Sequence, residues 1–172
     1  MGPDDELEEA IEKAHAPFER RVGATIAIIA AALALVSVFG HIETTEELLL
    51  QQKAADQWAF HQSKSIRRYQ SEVAADVLSA LKDTAGAARY RENYDKYEKD
   101  AEKTLDLARD LQRESAVAGR RALRLHLGEI FLEMAIVFSS LAVLTGRRAF
   151  WWSGMAGGAI GFVVAATVFV IR

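Results

Sequence analysis

Three side chains that could carry chemistry lie close together in the last third of the chain: His126, Glu129 and Glu133. Their spacings of three and four residues place them on one face of a helix. An imidazole and two carboxylates so arranged could relay protons, line a cation path as a ring in an oligomer, or bind a divalent metal. Alternatively, the carboxylates could pair with Arg121, Arg124 or an arginine of a neighbouring chain. Three potential ligands at helical spacing are common by chance, and we expect no metal site.

The position of the two carboxylates makes them unusual. They fall in the apolar segment 127–145, which is about long enough to cross the ~30 Å hydrocarbon core of a bilayer as a helix. Counting back from Arg147 at about 1.5 Å per residue puts Glu133 about 21 Å away, still within such a core. Glu129 lies nearer the far boundary. A carboxylate at that depth is costly, so we expect it to face a bundle interior, a partner or a water-filled cavity.

Two further segments have the same character, residues 22–40 and 150–171. The sequence therefore predicts an all-α integral membrane protein with three transmembrane helices. Bulk composition hides this pattern, because a mean hydropathy of +0.02 and a net charge of -3 average apolar segments with a charged one. The absence of cysteine excludes disulfides and thiolate metal sites.

The N-terminal segment, residues 1–21, is acidic rather than basic, and no small-residue cleavage site follows the first apolar segment. We therefore expect a permanent first helix and not a removed signal peptide. Pro17 is predicted at the first turn of that helix, where proline is best tolerated.

Basic and aromatic residues mark one end of the predicted spans. Arginine pairs precede the first span and separate the second from the third, and two tryptophans follow the latter pair. The positive-inside rule then places the N-terminus in the cytoplasm and residues 41–126 in the periplasm, since a long loop tolerates the basic residues before the second span. The predicted interface anchors are Arg20, Arg21, Arg147, Arg148, Trp151 and Trp152.

Residues 41–126 are predicted to form an antiparallel helical hairpin outside the bilayer. They hold 15 basic and 15 acidic residues, interleaved at the spacing of ion pairs on solvated helices, which does not resemble a nucleic-acid surface. The stretch Asp83 to Gly86 signals a break, with Gly86 taking the left-handed conformation that ends a helix. The apex is therefore predicted near residues 84–88.

Each arm of this hairpin has a candidate heptad seam. Small seam residues allow close approach but bury little apolar area, so the hairpin either self-associates or remains monomeric with a wet seam. In the second arm the seam is Tyr90, Tyr94, Tyr97, Ala101, Thr104, Ala108, Leu111, Ser115, Ala118, Ala122 and Leu125. In the first arm it is Leu48, Gln52, Ala55, Ala59, Gln62, Ile66, Tyr69 and Val73.

The third predicted span carries a glycine stripe. Gly154 with Gly158, and Gly157 with Gly161, form two overlapping small-xxx-small patterns that let helix backbones approach closely in lipid. This stripe could mediate oligomer formation or pack against the other two spans of the same chain.

Several function classes lack sequence support. No P-loop, GxGxxG, HExxH or GxSxG pattern occurs, so phosphate-binding and common hydrolase chemistry are not indicated. We expect a protein that is not an enzyme, with no catalytic residues and no cofactor.

Four motifs carry a family resemblance: residues 15–21, 49–52, 54–60 and 64–67, which read HAPFERR, LLQQ, AADQWAF and KSIR. The chain resembles, over essentially its whole length, an uncharacterised bacterial membrane-protein family, domain of unknown function 4337. The resemblance implies a three-span layout and a bacterial inner (plasma) membrane location. It implies no catalytic residues.

Two classes of function follow. The first is a homo-oligomeric scaffold whose projecting hairpin engages another envelope protein. The second is an oligomeric ion channel or proton-handling assembly that uses Glu129 and Glu133. The lipid bilayer is the common partner of both, and nucleic acid is the partner of neither.

Overall fold

The computed structural model describes residues 3–170, with side chains from residue 17 onward, and this range contains helices but no strand. The acidic side chains of residues 4–12 and the last residue of the third predicted span therefore lie outside the described residues. The elements are α1 (Pro3–Ala80), α2 (Thr84–Thr145), α3 (Arg148–Ala166) and a short 3-10 helix (Thr167–Val170). The prediction of an all-helical chain is confirmed.

The chain divides into two compact units. Unit 1 comprises Met1–Thr44 and Gly119–Arg172, so all three α-helices contribute to it. Unit 2 comprises Thr45–Ala118 and is built from parts of α1 and α2.

Each of the three α-helices contains a stretch long and apolar enough to cross a membrane. In the most apolar window of each helix only 17–28% of the residues are buried within the chain. Most of these apolar side chains therefore face outward. This distribution is the reverse of that in a water-soluble helix bundle, where the apolar face points inward.

The core of unit 1 is formed where the three helices meet. Ile29 and Val36 of α1 pack with Leu132 and Ala135 of α2 and with Ala165 of α3. Two of these five are alanines, so the helices approach closely around a thin apolar core.

The glycine stripe of α3 lies in these helix contacts. Gly154, Gly158 and Gly161 are buried, whereas Gly157 is only half-buried. A Cβ atom at Gly161 would lie 2.8 Å from the Gly128 carbonyl oxygen, and one at Gly158 would lie 3.3 Å from Ile29. The stripe thus allows α3 to pack closely on α2 and α1 of the same chain.

The α2 positions predicted as the second-arm seam are all buried or half-buried, most of them in unit 2. Three contacts join α1 to α2. The Ser115 hydroxyl of α2 donates to the Glu47 carbonyl of α1. The His61 ring contacts the Ala101 carbonyl, and Lys64 donates to the Asp100 carboxylate. On α1 the buried or half-buried positions recur at heptad spacing: Glu47, Leu50, Ala54, Gln57, His61, Lys64, Arg68, Ser71, Ala75 and Leu78.

The predicted first-arm seam was wrong. Every residue assigned to it, from Leu48 to Val73, is exposed. The physical reason is that α2 presents small side chains and hydrogen-bond acceptors, so α1 turns its polar residues toward it. His61 and Lys64 then find partners on α2, and the more apolar stripe of α1 stays outside.

The break between α1 and α2 also differs from the prediction. Residues 81–83 interrupt the helices, and Lys82, with φ 62°, is the left-handed residue instead of Gly86. The Asp83 amide donates to the Leu78 carbonyl and the Lys82 amide to the Ser79 carbonyl, which is the Schellman pattern of a helix end.

Gly86 belongs to the start of α2. Its amide donates to the Asp83 carboxylate at 2.9 Å, so Asp83 is the N-cap. A Cβ atom at this position would meet the Asp83 carboxylate, which would have to shift.

Pro17 also departs from its predicted place, since it lies inside α1. The preceding residues are rich in Glu, Ala and Lys, which are strong helix formers. They extend the helix toward the N-terminus in spite of the hydrogen bond that proline removes.

Candidate functional site

The side chain of His126 joins α2 to α1 in unit 1. Its Nδ1 atom lies 3.1 Å from Oε2 of Glu129, one turn further along α2. Its Nε2 atom lies 3.1 Å from the hydroxyl of Thr44 on α1. Ser37 of α1 lies beside the same Glu129 carboxyl. The ring is therefore fixed on both sides by polar partners at the edge of an apolar region.

The number of available hydrogens decides which atoms donate. The Thr44 hydroxyl has one hydrogen and donates it to the Gly40 carbonyl at 2.9 Å. With that hydrogen so used, Nε2 of His126 donates to Thr44; in the other tautomer of the ring, the hydroxyl donates to Nε2 instead. Nδ1 faces the Glu129 carboxyl, so one hydrogen lies between these two groups and belongs to one or the other. The pair can hold and exchange one proton while its remaining hydrogen bonds stay in place.

Glycine at position 40 lies beside the His126 ring. A Cβ atom there would lie 3.4 Å from Cε1 of His126, at the near limit of ordinary van der Waals contact. Ser37, Gly40 and Thr44 are separated by three and four residues on one face of α1. Sequence reasoning missed all three. The signal available was a run of small and polar residues at helical spacing within an otherwise apolar helix.

Glu133 does not join this group. Glu129 is half-buried, whereas Glu133 is exposed and takes no part in the hydrogen bonds of His126 and Glu129. The three predicted site residues are thus divided into a bonded pair and a separate carboxylate. Within the described part of the chain, no cluster of three or more His, Cys, Asp or Glu is placed to hold a metal ion.

The aromatic anchors gather where α1 and α3 meet at the start of the apolar segments. Phe18 contacts Trp151 edge to face, with ring centroids 6.0 Å apart. The Trp151 indole donates to the Thr25 hydroxyl at 3.2 Å. Trp152 packs beside Trp151 at 5.4 Å. The four anchor arginines predicted from the sequence, Arg20, Arg21, Arg147 and Arg148, are all exposed.

Unit 2 contains a separate polar cluster of basic and aromatic side chains. Lys64 forms a 2.8 Å ion pair with Asp100 and lies over the Tyr97 ring at 5.7 Å. Arg68 lies over Tyr94 at 5.8 Å. The hydrogen bond from Lys64 lowers the pKa of the Asp100 carboxyl. This cluster fixes the register between α1 and α2, and its bonded partners leave no obvious reactive group.

The chain matches a family of known proteins. The family described as Domain of unknown function (DUF4337) matches residues 18–171, which is nearly the whole chain. No curated protein and no solved structure matches the chain.

Proposed function

Because the chain belongs to the family described as domain of unknown function 4337, which assigns it no activity, we propose from its geometry that it is a membrane-embedded scaffold that self-associates through unit 2. The proposed role is non-enzymatic and needs no cofactor. The observation that carries the proposal is the exposed apolar stripe of α1 in unit 2.

Membrane insertion is supported by the outward-facing apolar residues of the three candidate spans. It is supported further by the contact of Phe18 with Trp151, because that contact brings the arginine pairs near both residues to one end of the spans. An aromatic and basic end is typical of a membrane interface. We place this end in the cytoplasm of a bacterial cell and the protein in the inner membrane.

The cross-helix contacts support an antiparallel hairpin for unit 2. As the α1 partner advances from Glu47 to His61, the α2 partner moves back from Ser115 to Ala101. Ion pairs and small buried residues then hold the two arms together. In the proposed arrangement this hairpin lies outside the bilayer, on the periplasmic side.

The outer stripe of α1 comprises Leu48, Gln52, Ala55, Ala59, Gln62, Ile66, Tyr69 and Val73. Its large members are well exposed, with 59% for Leu48, 51% for Ile66 and 63% for Val73. Outside a bilayer, a largely apolar stripe at heptad spacing indicates a helix-binding surface. The inner face of α1 already packs against α2, so the outer stripe is available to another helix.

We propose that a second copy of the chain covers this stripe. Two copies inserted in one membrane with the same orientation can be related by a two-fold axis along the membrane normal. Such an axis brings each stripe against its own equivalent in parallel register. Gln52 and Gln62 would then face their counterparts and select this register at some expense of stability.

Cysteine crosslinking tests the interface sharply, because the chain has no cysteine of its own. Ile66→Cys and Val73→Cys each place a thiol on the stripe, and the two-fold axis brings each one close to its equivalent. Mild oxidation of intact membranes should then give covalent dimers of both variants. Glu102→Cys, at an exposed position of α2, is the matched control and should remain monomeric.

A monomeric native mass together with equal crosslinking of stripe and control variants would reject self-association. Crosslinking of the stripe variants to a different envelope protein would also reject the second copy as occupant, while keeping the stripe as an interaction surface.

The proton pair of His126 and Glu129 supports a second candidate, a proton-handling assembly. In this case Glu129→Gln should reduce proton flux into vesicles that contain the purified protein, because an amide cannot take up the shared proton. Glu133→Gln, at the exposed carboxylate nearby, is the control. Equal flux in both variants and the parent protein removes the pair from any conduction path.

A further inference from the structure

Unit 1 contains an apolar groove of about 620 Å³ whose walls come from α1, from α2 and from the α3 end of the chain. Leu35 and Phe39 form the α1 side, and Phe162 and Ala166 form the α3 side. A volume of this size is typical of a small-molecule site rather than of a packing defect. The groove lies apart from the pair formed by His126 and Glu129, neither of which lines it.

One end of the groove is charged. Glu43 and Arg121 both line it, and they are the charged lining residues within the described part of the chain. The Oε2 atom of Glu43 is buried and has no hydrogen-bond partner among the described residues. A buried carboxylate oxygen is costly without a donor, so this end of the groove favours a ligand that brings an N–H or O–H group.

The charged end lies at the depth of lipid headgroups, given the membrane insertion proposed above. Glu43 follows Phe39, the last residue of the apolar run of α1, by four residues, or about 6 Å of helix. The polar layer on each side of the hydrocarbon core has about this thickness. The apolar walls would then lie at acyl-chain depth, and the charges at the depth of phosphate and amine.

We propose that the groove binds one phospholipid with an ethanolamine headgroup. An acyl chain fills the apolar part, the phosphate pairs with Arg121, and the ammonium donates a hydrogen bond to Oε2 of Glu43. The positive and negative groups of the groove thus match those of a zwitterionic headgroup. The inference rests on the proposed membrane insertion and is independent of self-association.

The headgroup distinguishes the ethanolamine lipid from other phospholipids in this groove. A choline headgroup has the same charges but its trimethylammonium carries no N–H, so it cannot satisfy Glu43. A glycerol headgroup can donate a hydroxyl but lacks the positive charge that a carboxylate attracts. The order of binding should therefore be ethanolamine first, with choline and glycerol lipids weaker.

The experiment measures retained lipid on the full-length protein by native mass spectrometry. Detergent-solubilised protein is mixed with dioleoyl phosphatidylethanolamine, phosphatidylcholine or phosphatidylglycerol of equal chain length. We expect the ethanolamine lipid to bind about tenfold better than the choline lipid, the difference made by one hydrogen bond to a charged group. Glu43→Met should abolish this preference, whereas Glu46→Met, at an exposed site on the same helix, should preserve it.

Two further variants test the phosphate contact and the groove itself. Arg121→Met should weaken binding of all three lipids, while Arg120→Met, at the exposed neighbouring position, should not. Ala166→Trp fills the groove and should displace the lipid, whereas Ala159→Trp places the same ring on an exposed part of α3 that does not line the groove.

Equal retention of ethanolamine and choline lipids, or a preference for the glycerol lipid, would overturn the proposal. So would unchanged lipid retention in Ala166→Trp. These results leave the scaffold intact, because it is judged by crosslinking. Recovery of the protein from cells without detergent would instead remove the membrane insertion on which both proposals depend.

Discussion

Nε2 of His126 lies 3.1 Å from the Thr44 hydroxyl, although 82 residues separate them in the chain. Thr44→Val removes the hydroxyl and leaves Nε2 of His126, which is partly buried, without this hydrogen-bond partner. We expect this change to lower the free energy of unfolding by about 1–3 kcal/mol, measured by denaturant titration in detergent. Thr44→Ser keeps the hydroxyl and should restore most of the loss.

The matched control is Ser140→Ala. It removes an exposed hydroxyl that bonds only the Ile136 carbonyl of its own helix, so it should have little effect. If Thr44→Val and Ser140→Ala change stability equally, the contact between α1 and α2 at His126 contributes nothing measurable.

Lys82 holds a left-handed conformation that costs a residue with a side chain roughly 1–2 kcal/mol. Lys82→Gly should therefore raise the free energy of unfolding by about 1 kcal/mol, after allowing for the greater freedom of glycine in the unfolded chain. Lys103→Gly, at an exposed position inside α2, should act in the opposite direction by a similar amount. Thermal unfolding followed by circular dichroism gives both signs, and a loss of stability in Lys82→Gly would contradict the assigned turn.

The glycines of α3 should differ sharply in their tolerance of a methyl group. Gly161→Ala puts a Cβ atom 2.8 Å from the Gly128 carbonyl oxygen and 2.9 Å from Phe131. Relief of that crowding must separate α3 from α2, at a cost of about 1–3 kcal/mol. Gly157→Ala meets nothing closer than 3.7 Å and should be accepted. Unfolding in a detergent series distinguishes them, and equal values would contradict the close helix approach.

The ion pair between Lys64 and Asp100 makes stability depend on acid pH. Its hydrogen bond lowers the pKa of Asp100 below the ordinary 3.8. The carboxylate therefore stabilises the fold above that ordinary value, and the contribution declines as the pH falls through the lowered one. Asp100→Asn should be less stable than the parent protein at neutral pH, and the difference should vanish in strong acid.

Thermal unfolding at a series of pH values measures this effect. Asp106→Asn, which alters an exposed carboxylate of the same helix, is the control. A stability difference for Asp100→Asn that stays constant down to strong acid would show that the ion pair is not its source.

Regular repetition explains what could be predicted from the sequence. Three long apolar segments predicted the three candidate spans, and small residues at alternating steps of three and four predicted the α2 seam. The α1 seam could not be found in this way, because apolarity does not reveal the polar partners that α2 offers to His61 and Lys64. The turn was misplaced because a left-handed lysine has no distinctive sequence signal.

In the candidate site, too, contacts within one helix could be predicted from the sequence and contacts between helices could not. The contact of His126 with Glu129 spans three residues and follows from helix geometry. The contact of His126 with Thr44 depends on how two long helices are aligned, which no local pattern encodes. The charged end of the groove, formed by Glu43 of α1 and Arg121 of α2, depends on that alignment as well.

The three-residue break at residues 81–83 has a consequence for the order of folding. Lys64 and Asp100 are 36 residues apart, His61 and Ala101 40, Glu47 and Ser115 68, and Thr44 and His126 82. Each pair encloses the previous one, so every contact made from the turn outward shortens the free chain that the next must close. Once the inner pairs have formed, Thr44 and His126 are already close together. Their contact therefore loses little additional chain entropy by loop closure, in spite of the long stretch of sequence between them.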